Sequence, residues 1–99
     1  MIVVRNVFRL KFGQAKPAIA AWKEGRAKMK QMGMTGESRA LTDLVGTSYT
    51  LVHELTFENL AAFEQRSKTI LGNPEWRKWY DTFVPYCESG YREILNVVE

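Results

Sequence analysis

Hydrophobic and polar residues alternate along the first twelve positions of the chain. One face of this stretch carries Ile2, Val4, Asn6, Phe8, Leu10 and Phe12, and the other carries Val3, Arg5, Val7, Arg9 and Lys11. A period of two with β-branched residues predicts a β-strand. Because both faces carry apolar side chains, neither face is expected to be simply solvated.

A helix of about five turns is predicted after Gly13. Pro17 lies near its start, where the missing N–H group costs nothing. Apolar positions recur every three or four residues, at Ala15, Ala18, Ile19, Trp22, Gly25 or Arg26, and Met29. Gly33 is expected to end the helix as a C-terminal cap.

A hairpin and a last strand are predicted in the rest of the chain. Residues 37–41 are short, and residues 47–55 are rich in β-branched and aromatic side chains. Residues 43–46 between them have the composition of a turn, so the two strands should pair. Residues 91–98 alternate again and predict the last strand.

Two helices are predicted between the hairpin and the last strand. Thr56 is a suitable N-cap for the first helix, which Gly72 ends. Asn73 is expected to cap the second, with Pro74 at its first position and Pro85 beyond its end.

The order strand, helix, strand, strand, helix, short helix, strand predicts one ferredoxin-like α+β domain over residues 1–99. In this βαββαβ fold an antiparallel four-stranded sheet carries its helices on one face. The other face is too apolar to be bare and too polar for a sealed core. A second copy packed face to face would cover it, so we expect a homodimer through the sheet face. The alternative is a monomer with a wet, mixed sheet face.

The chain is 45% hydrophobic and 25% charged, as ordinary globular domains are. Its net charge is +3. Five basic residues share one segment with a single acid, Glu24: they are Lys16, Lys23, Arg26, Lys28 and Lys30. A nucleic-acid surface would have this charge. We prefer a solvated helix face and expect no nucleic-acid partner, because Trp22, the one aromatic residue in the segment, is needed for the core.

The amino-terminal residues are not expected to form a signal peptide or a membrane span, because Arg5, Arg9 and Lys11 interrupt every apolar run. Cys87 is the only cysteine, so no intrachain disulfide can form, and a single thiol fits a reducing compartment. We therefore expect a cytoplasmic protein with no membrane partner.

Few side chains offer chemistry. His53 is the only one expected to titrate near neutral pH without help, and it could act as a general base or bind a carbonyl group. The alternative, which we prefer, is a histidine that is hydrogen-bonded inside the sheet or the dimer interface. One His and one Cys cannot form a structural zinc site, and Cys87 is expected to be a buried, inert thiol. The chain has no glycine-rich phosphate loop, nucleophile elbow or metalloprotease motif.

Aromatic residues crowd the short helix and could line a pocket for a flat ligand. We expect Trp76 and Phe83 to lie in the core. Trp79 and Tyr80 remain open between core and ligand binding, because one helix cannot bury every face.

Three more candidate ligand-binding residues come from strand alternation alone. Arg5, Arg39 and Tyr49 are predicted to face a cavity. A register error of one residue would reverse each of these assignments.

Three segments resemble a known family: FRLKFG in the first strand, LVHELTFENLAAFEQR from the third strand, and GNPEWRKWYDTFVPYCESGYREI around the aromatic helix. They are similar to the NIPSNAP-like proteins of the dimeric α+β-barrel superfamily, over nearly the whole chain. The resemblance implies a ferredoxin-like subunit that dimerises through its sheet, and it adds little on activity. The chain departs from the family's pattern after His53, where Glu54 and Leu55 stand where an aromatic residue is common.

The same superfamily includes cofactor-free monooxygenases of polyketide quinols and haem-degrading monooxygenases. The haem enzymes use an Asn on the first strand with a Trp and a His on the helices. Asn6 resembles that Asn in placement, whereas His53 is on a strand. The position nearest the haem-ligating His falls around Trp79 and Tyr80. An axial Tyr is chemically feasible, but we expect no haem and no other cofactor.

Three functional hypotheses are compatible with the sequence. The first is a homodimer that binds a small, partly aromatic molecule between sheet and helices without strong catalysis. The second is a cofactor-free or haem-dependent monooxygenase, or an isomerase, with His53 and Asn6 as catalytic residues. The third is a structural or nucleic-acid-interacting module without a pocket.

Overall fold

The structure, a computed structural model, describes residues 1–34 and 36–99. Within them the strands and helices follow the predicted order: β1 (Ile2–Leu10), α1 (Ala15–Gln31), β2 (Ser38–Thr42), β3 (Thr50–Phe57), α2 (Leu60–Leu71), α3 (Pro74–Phe83) and β4 (Cys87–Asn96). A 3-10 turn, Val84–Tyr86, joins α3 to β4. The strands form one sheet in the order β2-β3-β1-β4, and every neighbouring pair is antiparallel. The predicted ferredoxin-like α+β fold is confirmed.

The alternation along β1 separates the two faces of the sheet as predicted. Leu10 packs under the helices with Trp22 and Phe83 in one cluster of buried side chains. Ile2 and Val4 belong to a second buried cluster on the same face. We call this side of the sheet the helical face, and the opposite side, which carries no helix, the open face.

Two predicted helix caps are confirmed. Gly33 follows α1 with φ of +79°, in the left-handed region that favours glycine. Asn73 Oδ1 accepts hydrogen bonds from the backbone N–H groups of Glu75 (2.9 Å) and Trp76 (3.1 Å) at the start of α3. In the part of the chain that the structure describes, no helix is both long and apolar enough to cross a membrane.

The predicted cap at Thr56 is wrong. β3 continues to Phe57, because Phe57 pairs with Ile2 of β1 and buries its ring in the second core cluster. Asn59 caps α2 instead, and its Oδ1 accepts a hydrogen bond from the N–H of Ala62 at 2.9 Å. Burial and strand pairing here outweigh a local capping signal.

The last two strands also begin elsewhere than predicted. β3 starts at Thr50, whose N–H donates to Asp43 Oδ1 at 2.9 Å and so closes the preceding loop. β4 starts at Cys87, because that residue already pairs with Leu10 of β1. The first residue of each strand pairs with a residue of β1 that is distant in the chain, Thr50 with Arg9 and Cys87 with Leu10.

Trp79 of α3 contacts α1 through a hydrogen bond and through close packing. Its indole Nε1 donates a hydrogen bond of 2.6 Å to the backbone oxygen of Ala21. Its ring lies directly against Gly25, where a Cβ atom would overlap the indole. The two helices can therefore approach closely only because residue 25 has no side chain, and this contact sets how α1 is rotated over the sheet.

Candidate functional site

A cavity of about 250 Å³ opens on the helical face, between α1, the β2–β3 hairpin and α2. We call it the His53 cavity. Its lining includes Arg26, Met29, Lys30, His53, Leu55 and Arg66. Its volume is just below the range of about 300–1,000 Å³ that is usual for small-molecule sites.

His53 lies on β3 with its ring toward the helices, and only 8% of the residue is exposed. The ring meets the indole of Trp22 edge to face, with centroids 5.0 Å apart. Burial, together with the positive charges of Arg26 and Arg66, lowers the pKa of His53 from 6.5 to about 4. The imidazole is therefore neutral at pH 7, with one N–H donor and one acceptor nitrogen.

Two arginines flank the histidine from different helices. Arg26 of α1 lies over the ring of Trp22, with 5.7 Å from Cζ to the ring centroid. Arg66 of α2 lies over the ring of Phe57 at 5.2 Å. The Nε atom of Arg26 is buried and has no hydrogen-bond partner among the described residues. Such a donor destabilises the site by about 1–3 kcal/mol until an acceptor reaches it.

Replacing Arg26 with glutamine is expected to raise the pKa of His53 above 4, because one of the charges that disfavour the imidazolium is removed. The pKa should remain below 6.5, since burial, the largest cause, persists. The measurement is an NMR pH titration of the imidazole Cε1–H signal. Lys23→Gln, at an exposed position of the same helix, is the matched control and should leave the pKa unchanged. An unchanged pKa in Arg26→Gln would mean that the charge of Arg26 does not contribute to the shift.

The two predicted catalytic residues lie side by side. Asn6 on β1 is directly opposite His53 on β3, and both point to the helical face. Side chains at such positions are neighbours, with Cβ atoms roughly 5 Å apart. Arg92 of β4 lies opposite Asn6 on its other side. The Oδ1 atom of Asn6 accepts a hydrogen bond of 2.7 Å from Nε of Arg92.

Arg5 and Arg39 lie on the open face, away from the His53 cavity. Arg5 contacts Glu54 at 2.9 Å and Glu93 at 3.3 Å, and Arg39 contacts Glu54 at 2.8 Å. Hydrogen bonds from Arg39 and Arg5 lower the pKa of the Glu54 carboxyl, against the opposite effect of its burial. These arginines are thus paired within the subunit.

The other three predicted ligand residues lie apart from His53. Trp79 is 6% exposed and belongs to the first core cluster. Tyr80 is on the exposed side of α3, with its ring 6.3 Å from that of Trp79. Tyr49 precedes β3 with a φ of +58° and borders a separate, more open cavity of about 350 Å³ with Leu10. The structure therefore does not bring these residues into one site, and their binding roles stay predictions.

Cys87 is half-buried at the start of β4. Burial raises the pKa of its thiol, which disfavours the nucleophilic thiolate. Its Sγ atom lies 3.9 Å from the backbone oxygen of Phe83. Across residues 1–34 and 36–99, no three His, Cys, Asp or Glu side chains are grouped so that they could hold a metal ion.

Sequence reasoning missed Arg26 and Arg66 as site residues. Arg26 appeared only as an alternative to Gly25 in the apolar stripe of α1 and as one of the five basic residues of that segment. Arg66 follows Phe63 by three positions on α2, so it too lies beside the buried side of its helix. A charged residue inside an apolar stripe was the available signal.

The chain is similar to proteins of the NIPSNAP family in sequence profile and in structure. The sequence profile of the NIPSNAP family matches residues 4–99. A NIPSNAP domain protein from Burkholderia xenovorans, described as uncharacterized, is 16% identical, with a TM-score of 0.88 over 99% of this chain and 95% of that one. A NIPSNAP family protein from Agrobacterium tumefaciens is 14% identical, with a TM-score of 0.88 over 99% and 93%. No curated protein matches the chain.

The fold is also shared with oxygenases. A cofactor-independent oxygenase from Streptomyces nogalater is 10% identical, with a TM-score of 0.73 over 99% of this chain and 93% of that one. At such identity the likeness shows that the two proteins share an α+β fold, and it does not show that they share an activity. Because the family profile spans residues 4–99, the chain belongs to the NIPSNAP family.

Proposed function

We propose that this protein is a cytoplasmic homodimer that binds a small, partly aromatic molecule in the His53 cavity of each subunit. The cavity itself carries the proposal. It combines an apolar wall with a few polar groups, as small-molecule sites do. Binding of this kind needs no cofactor. The single thiol, which fits a reducing compartment, supports the location.

The open face supports the dimer. Its exposed apolar side chains include Tyr91 and Leu95 on β4 and Leu41 on β2. Its acids, Glu54 and Glu93, are already paired with arginines of the same subunit. A second copy of this face would therefore cover apolar area without burying unpaired carboxylates.

Replacing Leu95 with glutamate is expected to convert the dimer to monomers, because the interface would then bury an unpaired charge. Native mass spectrometry at low micromolar concentration measures this against the subunit mass of 11.4 kDa. A small molecule retained through purification will appear as additional mass on the wild-type dimer.

Ile94→Glu is the matched control. Ile94 is adjacent on the same strand and is 43% exposed, against 46% for Leu95, but it lies on the helical face. This variant should remain dimeric. A monomeric wild-type protein, or equal dissociation of both variants, contradicts dimerisation through the open face.

A cofactor-free monooxygenase is the second candidate, favoured by the adjacency of Asn6 and His53 on the helical face. A pKa of about 4 makes His53 a weak base at neutral pH, which favours binding over proton abstraction. Oxygen uptake in the presence of an aromatic quinol, lost in His53→Ala, would establish the enzyme instead.

A further inference from the structure

The charges around the His53 cavity all have one sign. Arg26 and Lys30 reach it from α1, and Arg66 reaches it from α2. No aspartate or glutamate is among its described lining residues. A recess with walls of low polarity concentrates the field of such charges, so it attracts an anion.

Arg26 adds a specific binding group to this field. Its buried Nε–H has no acceptor within the described chain, although the guanidinium is held over Trp22. Its neighbour Lys28, by contrast, lies 3.9 Å from the carboxylate of Glu75. An oxygen of a bound anion would provide the missing acceptor, and hydrogen bonds between two charged groups are stronger than neutral ones.

The rest of the wall is apolar. Met29, Met34 and Leu55 line the cavity beside the charged groups. Methionine side chains adapt to ligands of irregular shape and make favourable contacts with aromatic rings. The wall therefore suits the hydrocarbon body of a ligand more than a second charged group.

We infer that the ligand of the His53 cavity is a carboxylate with an aromatic or other apolar body, bound through Arg26 with the charges of Arg66 and Lys30 beside it. The neutral His53 ring donates or accepts a hydrogen bond at the same end. The inference deepens the proposed function and rests on it. One planar carboxylate matches the fork of an arginine, and a small apolar cavity suits one charge better than the two of a phosphate monoester.

The test compares acids with amides of the same shape. Benzoate, cinnamate and 2-naphthoate are titrated into the full-length protein at pH 7 beside benzamide, cinnamamide and 2-naphthamide, and inorganic phosphate is titrated separately. Binding is followed by NMR through the backbone amide signals of His53 and Arg26. We expect at least one acid to bind about tenfold more tightly than its amide, because only the acid forms a charge-assisted bond. It should also raise the pKa of His53.

Variants connect this preference to the named residues. Arg26→Gln and Arg66→Gln should each reduce the preference for acid over amide, whereas Lys23→Gln, on the exposed side of α1, should retain it. If Arg26→Gln does not fold, Arg26→Lys keeps the charge but removes the Nε–H group and should bind the acid more weakly.

The other outcomes separate the two proposals. Equal binding of acids and amides at His53 and Arg26 contradicts the inference that the ligand is a carboxylate. It still supports the proposed small-molecule site. Tighter binding of phosphate than of every acid also overturns the carboxylate. The absence of any shift at these two residues with all seven compounds overturns both the inference and ligand binding in the cavity.

Discussion

Lowering the pH from 7 to 4 is expected to reduce the free energy of unfolding by about 3 kcal/mol through His53 alone. The pKa of His53 is about 4 in the folded protein and 6.5 for an ordinary histidine, so the unfolded chain binds more protons between these pH values. This stability is fully present above pH 6.5 and is lost as the pH falls toward 4. The positive charges of Arg26 on α1 and of Arg66 on α2 add to the effect of burial, and Lys30 lines the same cavity.

Urea unfolding at several pH values between 7 and 4 measures this loss. His53→Gln is the control, because glutamine keeps a polar side chain but has no proton to bind in this range. The difference between the two proteins isolates His53 from the carboxylates, which also titrate toward pH 4. Parallel stability curves for the two proteins would show that His53 is not held neutral by the fold.

Replacing Gly25 with alanine is expected to lower the free energy of unfolding by about 2 kcal/mol, the usual cost of overpacking. In most helices this change is stabilising, by up to about 1 kcal/mol, because alanine is the better helix former. Here the new Cβ atom would overlap the indole of Trp79, which is fixed by its hydrogen bond to Ala21. A loss of stability in Gly25→Ala therefore indicates a tight contact between α1 and α3. Urea unfolding at pH 7 measures this change in the free energy of unfolding.

The same substitution in Trp79→Phe protein provides the control. Two of the three atoms that a Cβ at position 25 would meet, Cζ2 and Cη2, lie in the outer part of the indole, beyond the reach of a phenyl ring. Gly25→Ala should then be neutral or stabilising, and a double-mutant cycle should give a large coupling energy. A stabilising effect in the unaltered protein would contradict a tight contact here.

The contact at Gly25 also bears on the site. Arg26 is the next residue of α1, so the rotation of the helix that lets Trp79 lie on Gly25 directs the following side chain toward His53. A change at Gly25 should therefore alter ligand binding as well as stability. The fold alone does not predict this arrangement of Gly25, Trp79 and Arg26. The same fold occurs in an oxygenase that is 10% identical, and one fold can carry many different sites.

The sequence by itself determined the fold class and several of its details. The alternation of β1 separated Arg5 from Asn6 correctly, and the caps at Gly33 and Asn73 were predicted where they occur. Alternation and capping depend on residues within one turn or one strand, so they can be read locally. The resemblance to the NIPSNAP family was also available from the sequence and is confirmed.

Only the tertiary structure decided the site. The pairing of β3 with β1 extended β3 beyond Thr56 and placed His53 opposite Asn6. The close approach of α1 and α3 set which basic residue of α1 joins His53, and the packing of α2 added Arg66. The sequence shows that these residues are charged, but not that they meet. Their meeting depends on contacts between segments far apart in the chain, and such contacts outweigh local preference when burial makes them more favourable.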